Sequence, residues 1–373
     1  ALARNGAQVV HCLEGDASAC DSLRKAMREA GLYGQVSVTA WSPPYLPHVD
    51  DLVNVIVVPD WPAAAKAGLT VKEVLRALAP LGTAWLGGAV DAREVSAQAK
   101  AAGAGTQTVD AKTGQAWLKL SKAWPADIDQ WGHYLHGPDG NPVARDLRVG
   151  PPRHYQWISD PVWSRSHETD STPSTLVTAN GRILSIQDAA PISLAGQNDL
   201  PDKWSLVCQD AFNGVVLWQV PIRRWGWREW KHTWFNTRPG DIPLNIQKRL
   251  VAAGEFVYVT LGYRAPVSQL DARTGTVLQT YAGTEGANEI LYLDGRLIIS
   301  VVEGERLRVK AVDGASGKVL WTSDKTYAGT TTDYIRWKEM HGGSTPERLD
   351  PAANLAADGR IVVLIDADRK SVV

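Results

Sequence analysis

The chain has 373 residues, with 39 Lys and Arg against 40 Asp and Glu and a formal net charge of −1. That length predicts about two domains, and the charge balance excludes a global positive field that would gather nucleic acid or anionic membrane. Three cysteines exclude a disulfide-rich scaffold, and no run approaches the roughly 20 apolar residues of a bilayer span.

The first ninety residues alternate strand and helix periods. AQVVHCLE, ending at Glu14, reads as a strand. A helix follows, with Asp16 or Ser18 at its cap, Leu23, Ala26, Met27 and Ala30 on one face, and Gly31 near its stop. QVSVTAW (Gln35–Trp41) is a second strand. LVNVIVV (Leu52–Val58) is apolar enough for a parallel sheet covered on both faces. LTVKEVLRALAPLG then predicts a helix carrying Val71, Val74, Leu75 and Leu78 on one side. Together these predict a twisted α/β sheet.

That order resembles the later part of a Rossmann-like S-adenosylmethionine-dependent methyltransferase. The resemblance rests on Glu14 in VHCLEGD, on Leu46–Pro47 before Asp51–Val53, and on the L-x-x-L-x-P-x-G turn at Leu75–Gly82. It implies that Glu14, with Asp16 as the alternate, binds the cofactor ribose. The family's Gly-rich loop would lie ahead of Ala7, so the segment is expected to be a truncated Rossmann-like domain. No methyl-transfer base is evident.

The rest of the chain repeats itself. DAFNGVVLW at Asp210, DARTGTVLQ at Asp271 and DGASGKVLW at Asp313 share D-x3-G-x-V-L. Each follows a strand-like element (NGRILSIQ, AGEFVYVTL, DGRLIISVV), and DGRIVVLID at Asp358 begins a fourth. Gly181, Gly254, Gly295 and Gly359 lie 73, 41 and 64 residues apart; the shortest interval is about one four-stranded propeller blade and the longer ones imply insertions. The aspartate is expected to fold onto turn amides, and the Trp to pack between neighbouring sheets. Gly254 precedes Asp271 by 17 residues and Gly295 precedes Asp313 by 18, and from Gly359 that offset puts the next aspartate near position 376, so an open propeller portion with associating edge strands is expected.

These repeats resemble the PQQ-binding-like β-propeller repeats of quinoprotein dehydrogenases and of the outer-membrane assembly lipoprotein family, over roughly Trp157–Val373. The wider order, a methyltransferase-like segment leading into WPADIDQWGHYLHGPDGNPVARD and the repeats, resembles large planctomycete-type proteins that join the two modules. The resemblance implies an extracytoplasmic location, periplasm or cell envelope. For a quinone enzyme it would imply PQQ with calcium in a central channel. No adjacent cysteine pair accompanies it, because Cys12, Cys20 and Cys208 are scattered.

Two segments carry other candidate chemistry. Asp129, His133, His136 and His154 could ligate a metal, or DIDQWGHYLHG could be a domain-joining clasp with its polar aromatic tips hydrogen-bonded. Sixteen Trp against three Phe, eleven of them from Trp117 to Trp234, draw attention to IRRWGWREWKHTWFNTRPG. There Arg224, Trp225, Trp227, Arg228, Trp230, Lys231 and Trp234 interleave aromatic and basic groups. That pattern suits a structural loop, or a ligand or partner surface for carbohydrate or an envelope protein; nucleic acid fits poorly with the neutral balance. No nucleophile-elbow, zincin or Walker A motif is present.

The expected architecture is mixed: a truncated Rossmann-like α/β segment over 1–88, a less regular connector over 89–146, and an all-β PQQ-like β-propeller portion over 147–373. The expected function is an extracytoplasmic binding or scaffold module with no catalytic or metal centre. No cofactor is expected in this stretch, S-adenosylmethionine or PQQ with calcium being the alternatives in a complete parent.

Overall fold

The computed structural model describes residues 9–110, 116–151, 155–159, 172–190, 203–226, 229, 245–329 and 352–365. The chain is mostly strands in several separate sheets with few helices. It divides into two units, residues 1–126 with 154–157, and residues 127–153 with 158–373.

In the first unit, β1 (Val10–Glu14) and β2 (Val36–Ala40) form a parallel pair, with α1 (Ala17–Glu29) between them in sequence. Asp16 caps α1 by accepting from the Ser18 N–H, and Gly31 takes the left-handed conformation just past its end. A separate sheet has the order β3-β4-β6-β5, from β3 (Val53–Val58), β4 (Leu78–Leu86), β5 (Ala104–Asp110) and β6 (Ala116–Lys122). Its β3–β4 pair is parallel and its other pairs antiparallel. The helices α2 (Trp61–Lys66), α3 (Val71–Ala77) and α4 (Ala92–Ala101) accompany it. Val71, Val74 and Leu75 of α3 pack with Leu78, Leu86, Leu118 and Leu120 in this unit's core.

Three expectations change here. The single sheet is two among the described residues. Leu78 opens β4 instead of extending the helix. And β3, an edge strand, leaves Val55 at 52% and Val57 at 39% exposure, so its apolar run is not covered on both faces. Much of the expected connector over 89–146 is also regular, forming α4, β5 and β6 up to Lys122. Lys122 explains why the chain turns in there. Its ammonium donates to the Leu75 and Leu78 carbonyls (2.7 Å each) at the end of α3 and pairs with Asp51 at 2.5 Å.

Among the described residues the second unit holds three four-stranded antiparallel meanders and a two-stranded pair. The first contains β7 (Thr175–Ala179), β8 (Arg182–Asp188), β9 (Trp204–Asp210) and β10 (Val216–Pro221). The second contains β11 (Leu250–Ala253), β12 (Phe256–Thr260), β13 (Val267–Asp271) and β14 (Val277–Thr280). The third contains β15 (Ala287–Leu293), β16 (Arg296–Glu303), β17 (Arg306–Asp313) and β18 (Val319–Thr322). β19 (Leu355–Ala357) and β20 (Val362–Leu364) form the last pair. The arrangement is consistent with a β-propeller-like part: each sheet packs face to face on the next in chain order. Leu184, Leu206 and Cys208 meet Leu250, Val257 and Leu270; Val251 and Tyr258 meet Ile290 and Ile299; Ile298 and Val309 meet Leu355 and Leu364.

The repeated D-x3-G motif makes the same turn three times. Asp210 Oδ1 accepts from the Phe212 and Asn213 amides, Asp271 Oδ1 from Arg273 and Thr274, and Asp313 Oδ1 from Ser316. Gly214, Gly275 and Gly317 sit at φ of 73°, 71° and 71°, and each amide donates to the carbonyl of its motif's aspartate. A β-bulge then falls at the motif's Leu, between Val216 and Trp218, between Val277 and Gln279, and between Val319 and Trp321. The bulge re-aims the residue after it at the next sheet. Trp218 Nε1 donates to the Ala272 carbonyl at 2.9 Å, and a Cβ on Gly275 would lie 2.7 Å from the Trp218 ring. Gln279 lies against Gly317 in the same way.

Replacing Gly275 by Ala combines left-handed strain with this overlap, and should cost about 3 kcal/mol of stability in urea denaturation. A loss below about 1 kcal/mol would contradict the packing described.

Candidate functional site

The first strands β7, β11, β15 and β19 lie beside one another, and polar groups gather at both their ends. At the C-terminal ends runs the segment Gln130–Gly140. The Thr178 N–H donates to the Trp131 carbonyl (2.8 Å), the Ala252 N–H to the Gly132 carbonyl (2.9 Å), and the Ala357 N–H to the Pro138 carbonyl (2.8 Å). The Tyr292 N–H donates to His133 Nε2 at 3.0 Å. One segment thus takes one backbone donor from the first strand of each sheet. Gly132 lets the backbones meet, since a Cβ there would lie 2.6 Å from the Ala252 carbonyl oxygen.

A domain-joining clasp is expected from the sequence, whereas these bonds run from sheet to sheet within the second unit; the segment's polar tips are hydrogen-bonded. Trp131 Nε1 donates to the Tyr134 carbonyl, and His136 Nε2 lies 2.8 Å from Asp129 Oδ2. His133 is buried, and desolvation pushes its pKa down to about 4, so it is a neutral acceptor. No cluster of three or more His, Cys, Asp or Glu suited to a metal occurs among the described residues; His154 lies outside them.

At the N-terminal ends lies a buried network that the sequence pattern did not single out. Lys248, on a 3-10 turn at Ile246–Arg249 leading into β11, pairs with Glu289 of β15 at 3.0 Å. Its ammonium also donates to Asn354 Oδ1 (2.8 Å) and the Ala353 carbonyl (3.3 Å). Glu289 Oε2 accepts from the Leu355 N–H at 2.9 Å. Asn245 donates to Asn288 Oδ1 (2.7 Å) and to the Ala353 carbonyl, while Asn288 Oδ1 also accepts from the Ala353 N–H. Thr175 Oγ1 donates to the Gln247 carbonyl, bringing in β7. Lys248 therefore reaches both the third and the fourth sheet, and sits where the first strands converge. Burial lifts the Glu289 pKa to about 6, against the opposing pull of Lys248.

Calcium demands six to eight oxygen ligands. Here the oxygens of Glu289, Asn354 and Ala353 already surround an ammonium. These residues do not fit a calcium–quinone site.

The residues predicted to bind a ligand are placed as follows. Glu14 ends β1 beside the parallel β2, and its Oε1 accepts from the Asp16 N–H at 3.1 Å; Asp16 is occupied in capping α1. Backbone and side-chain bonds from Ser18 hold the Asp16 carboxyl below its usual range. Arg224 is exposed at φ 52°, its carbonyl accepting from the Tyr263 N–H. Trp225 is 3% exposed and packs in the core between the first and second sheets, so its indole is inside and not on a surface. Trp227, Arg228, Trp230, Lys231 and Trp234 lie outside the described residues.

No family model matches the chain, and no curated protein does. Among solved structures it is similar to a Methanococcus maripaludis protein assigned to the S-adenosyl-L-methionine-dependent methyltransferases, at 14% identity and TM-score 0.24 over 32% of this chain and 68% of that one. It is similar to a europium-containing methanol dehydrogenase at 15% identity and TM-score 0.31, over 58% of this chain and 36% of that one. It is also similar to the quinohemoprotein alcohol dehydrogenase of Comamonas testosteroni at 15% identity and TM-score 0.29, over 53% and 27%. The chain spans about a third of the two dehydrogenases, and likenesses this distant assign no chemistry.

Two outcomes follow from the polar ends. Lys248→Met leaves Glu289 buried without its cation and should cost about 3–5 kcal/mol, much of it recovered in Lys248→Met/Glu289→Leu; urea titrations of the three proteins measure this. His133, with a folded pKa below the ordinary imidazole value of 6.5, stabilises fully above pH 6.5, and loses that contribution as pH falls toward 4. The stability advantage of the wild type over His133→Gln should therefore shrink by about 3 kcal/mol between pH 7 and 4.

Proposed function

We propose that this chain is a non-catalytic recognition or scaffold module of the cell envelope, built on a PQQ-like propeller portion. The observation that carries it is how the polar groups are distributed. Where the first strands converge, Lys248, Glu289, Asn245, Asn288 and Asn354 bond from sheet to sheet. Apolar side chains are exposed along the fourth strands, where Leu217, Val277, Leu278, Val319, Leu320 and Trp321 are all at least 36% exposed. The Arg/Trp segment from Arg224 to Trp234 adds aromatic and basic groups suited to sugar rings or an acidic protein face. No helix among the described residues is long and apolar enough to cross a membrane.

A second reading rests on Glu14, a carboxylate at the C-terminal end of a parallel strand, where open α/β sheets bind their ligands. It makes the first unit part of an S-adenosylmethionine site.

The folded chain should bind one class of envelope polysaccharide or envelope protein in a glycan array and pull-down screen. Alanine at Trp227, Trp230 and Trp234 should weaken that binding by at least tenfold. Failure to bind any envelope component would overturn the proposal. Saturable calorimetric binding of S-adenosylmethionine, lost in Glu14→Ala, would favour the second reading; saturable binding of PQQ would favour a quinone enzyme.

A further inference from the structure

Three side chains of the buried network carry a chemistry that their hydrogen bonds do not use. Lys248 leads into β11 of the second sheet, Glu289 lies on β15 of the third, and Asn354 directly precedes β19. Lys248 Nζ lies 2.8 Å from Asn354 Oδ1 and 3.0 Å from Glu289 Oε1. A C=O bond of about 1.2 Å separates that amide oxygen from its carbonyl carbon, so the amine stands against an electrophile and a base at once. Glu289 Oε2 accepts from the Leu355 N–H at 2.9 Å, which lays the carboxyl along the backbone next to Asn354. Lys248 is 8% exposed and Glu289 3%, so bulk water has little access to the contact.

We infer that the chain joins Lys248 to Asn354 by an isopeptide bond, with Glu289 as the acid–base catalyst. The Lys248 ammonium passes a proton to Glu289 Oε1, leaving a neutral amine and a neutral acid where burial opposes two charges. The Nζ lone pair then attacks Asn354 Cγ, and the carbonyl π pair moves onto Oδ1. As that pair re-forms the C=O bond, the Cγ–Nδ2 bond breaks. Glu289 gives its proton to the departing nitrogen, which leaves as ammonia. It then takes the second proton from Nζ and ends neutral. One ammonium, one carboxylate and one primary amide thus become one secondary amide, one ammonia and one carboxylic acid, with no outside reagent. Two further observations suit Glu289 to this role. Burial already lifts its pKa to about 6. Ser300, opposite it in the β15–β16 ladder, has a buried hydroxyl with no partner, an acceptor for the acid proton. The link would tie the second sheet to the fourth across 106 residues of sequence. It does not depend on which ligand the module recognises.

The 373-residue chain, folded and then denatured, is measured by intact mass spectrometry. The expected mass is about 17 Da below that of the sequence, one ammonia lost, and a tryptic digest should contain a species joining Lys248 to Asn354. Lys248→Arg and Glu289→Gln should each show the full mass of their own sequence and no joined species; circular dichroism confirms that both fold. A folded wild type of full sequence mass overturns the inference, whatever the variants do. So does loss of ammonia without the joined species, the result that succinimide formation at Asn180–Gly181 or Asn213–Gly214 would give. An equal yield of the joined species in Glu289→Gln overturns the role of Glu289 as catalyst. The ion pair is the unreacted state of these side chains, so urea titrations of Lys248→Met are referred to wild-type chain of full sequence mass.

Discussion

The second unit depends on one constraint: four first strands, each from a different sheet, must lie side by side without leaving their backbone groups unpaired. Neighbouring first strands belong to different sheets, and each ladder described runs within its own sheet. A buried donor without a partner costs as much as a lost hydrogen bond or more. The chain meets this at one end with carbonyls of Trp131, Gly132 and Pro138 and the ring of His133. At the other end it uses side chains, with Asn288 and Glu289 accepting the amides of Ala353 and Leu355.

The two ends solve the problem with different physics. Backbone carbonyls and a neutral imidazole carry no net charge, so the clasp forms at little electrostatic cost. The Lys248–Glu289 pair brings two charges out of water, and the attraction between them offsets that cost only because Asn354, Ala353 and Leu355 complete the coordination. Such a pair adds little net stability, but it penalises misregistered stacking of the sheets, because a shifted sheet would strand a charge. The raised carboxyl of Glu289 and the lowered imidazole of His133 are opposite consequences of the same burial.

What could be read from sequence follows the range of each interaction. The aspartate-turn chemistry was legible because Asp271 reaches amides only two and three residues away. So was the indole between sheets, since Trp218 recurs at a fixed offset from its glycine. The clasp was half legible: the aromatic and histidine cluster at Trp131–His136 announced a hydrogen-bonded segment, but not that His133 meets Tyr292, 159 residues on. Lys248 and Glu289 were invisible, because a lone Lys in IQKR and a lone Glu in ANEI read as surface residues until folding brings the sheets together. Trp225 was misplaced for a related reason: interleaved Arg and Trp signal a surface on average, yet this indole follows Ile222 into the core. In the first unit, the apolar run of β3 suggested burial, whereas exposure there is decided by its place at the sheet edge.

The same distribution of polar atoms bears on where recognition can occur. A group that already closes a sheet-to-sheet contact cannot be given to a ligand without loosening the stack, so Lys248 and its partners are poor candidates for a site that must open and close. Fourth strands carry no such duty on their outer faces. The repeat that builds the unit also fixes what its fourth strands present: the bulge at Leu217, Leu278 and Leu320 leaves those side chains exposed while turning Trp218 and Gln279 toward a neighbour. Trp218 and Gln279 find that neighbour in the Asp271–Gly275 and Asp313–Gly317 turns. One rule of local geometry thus produces both of these sheet-to-sheet contacts.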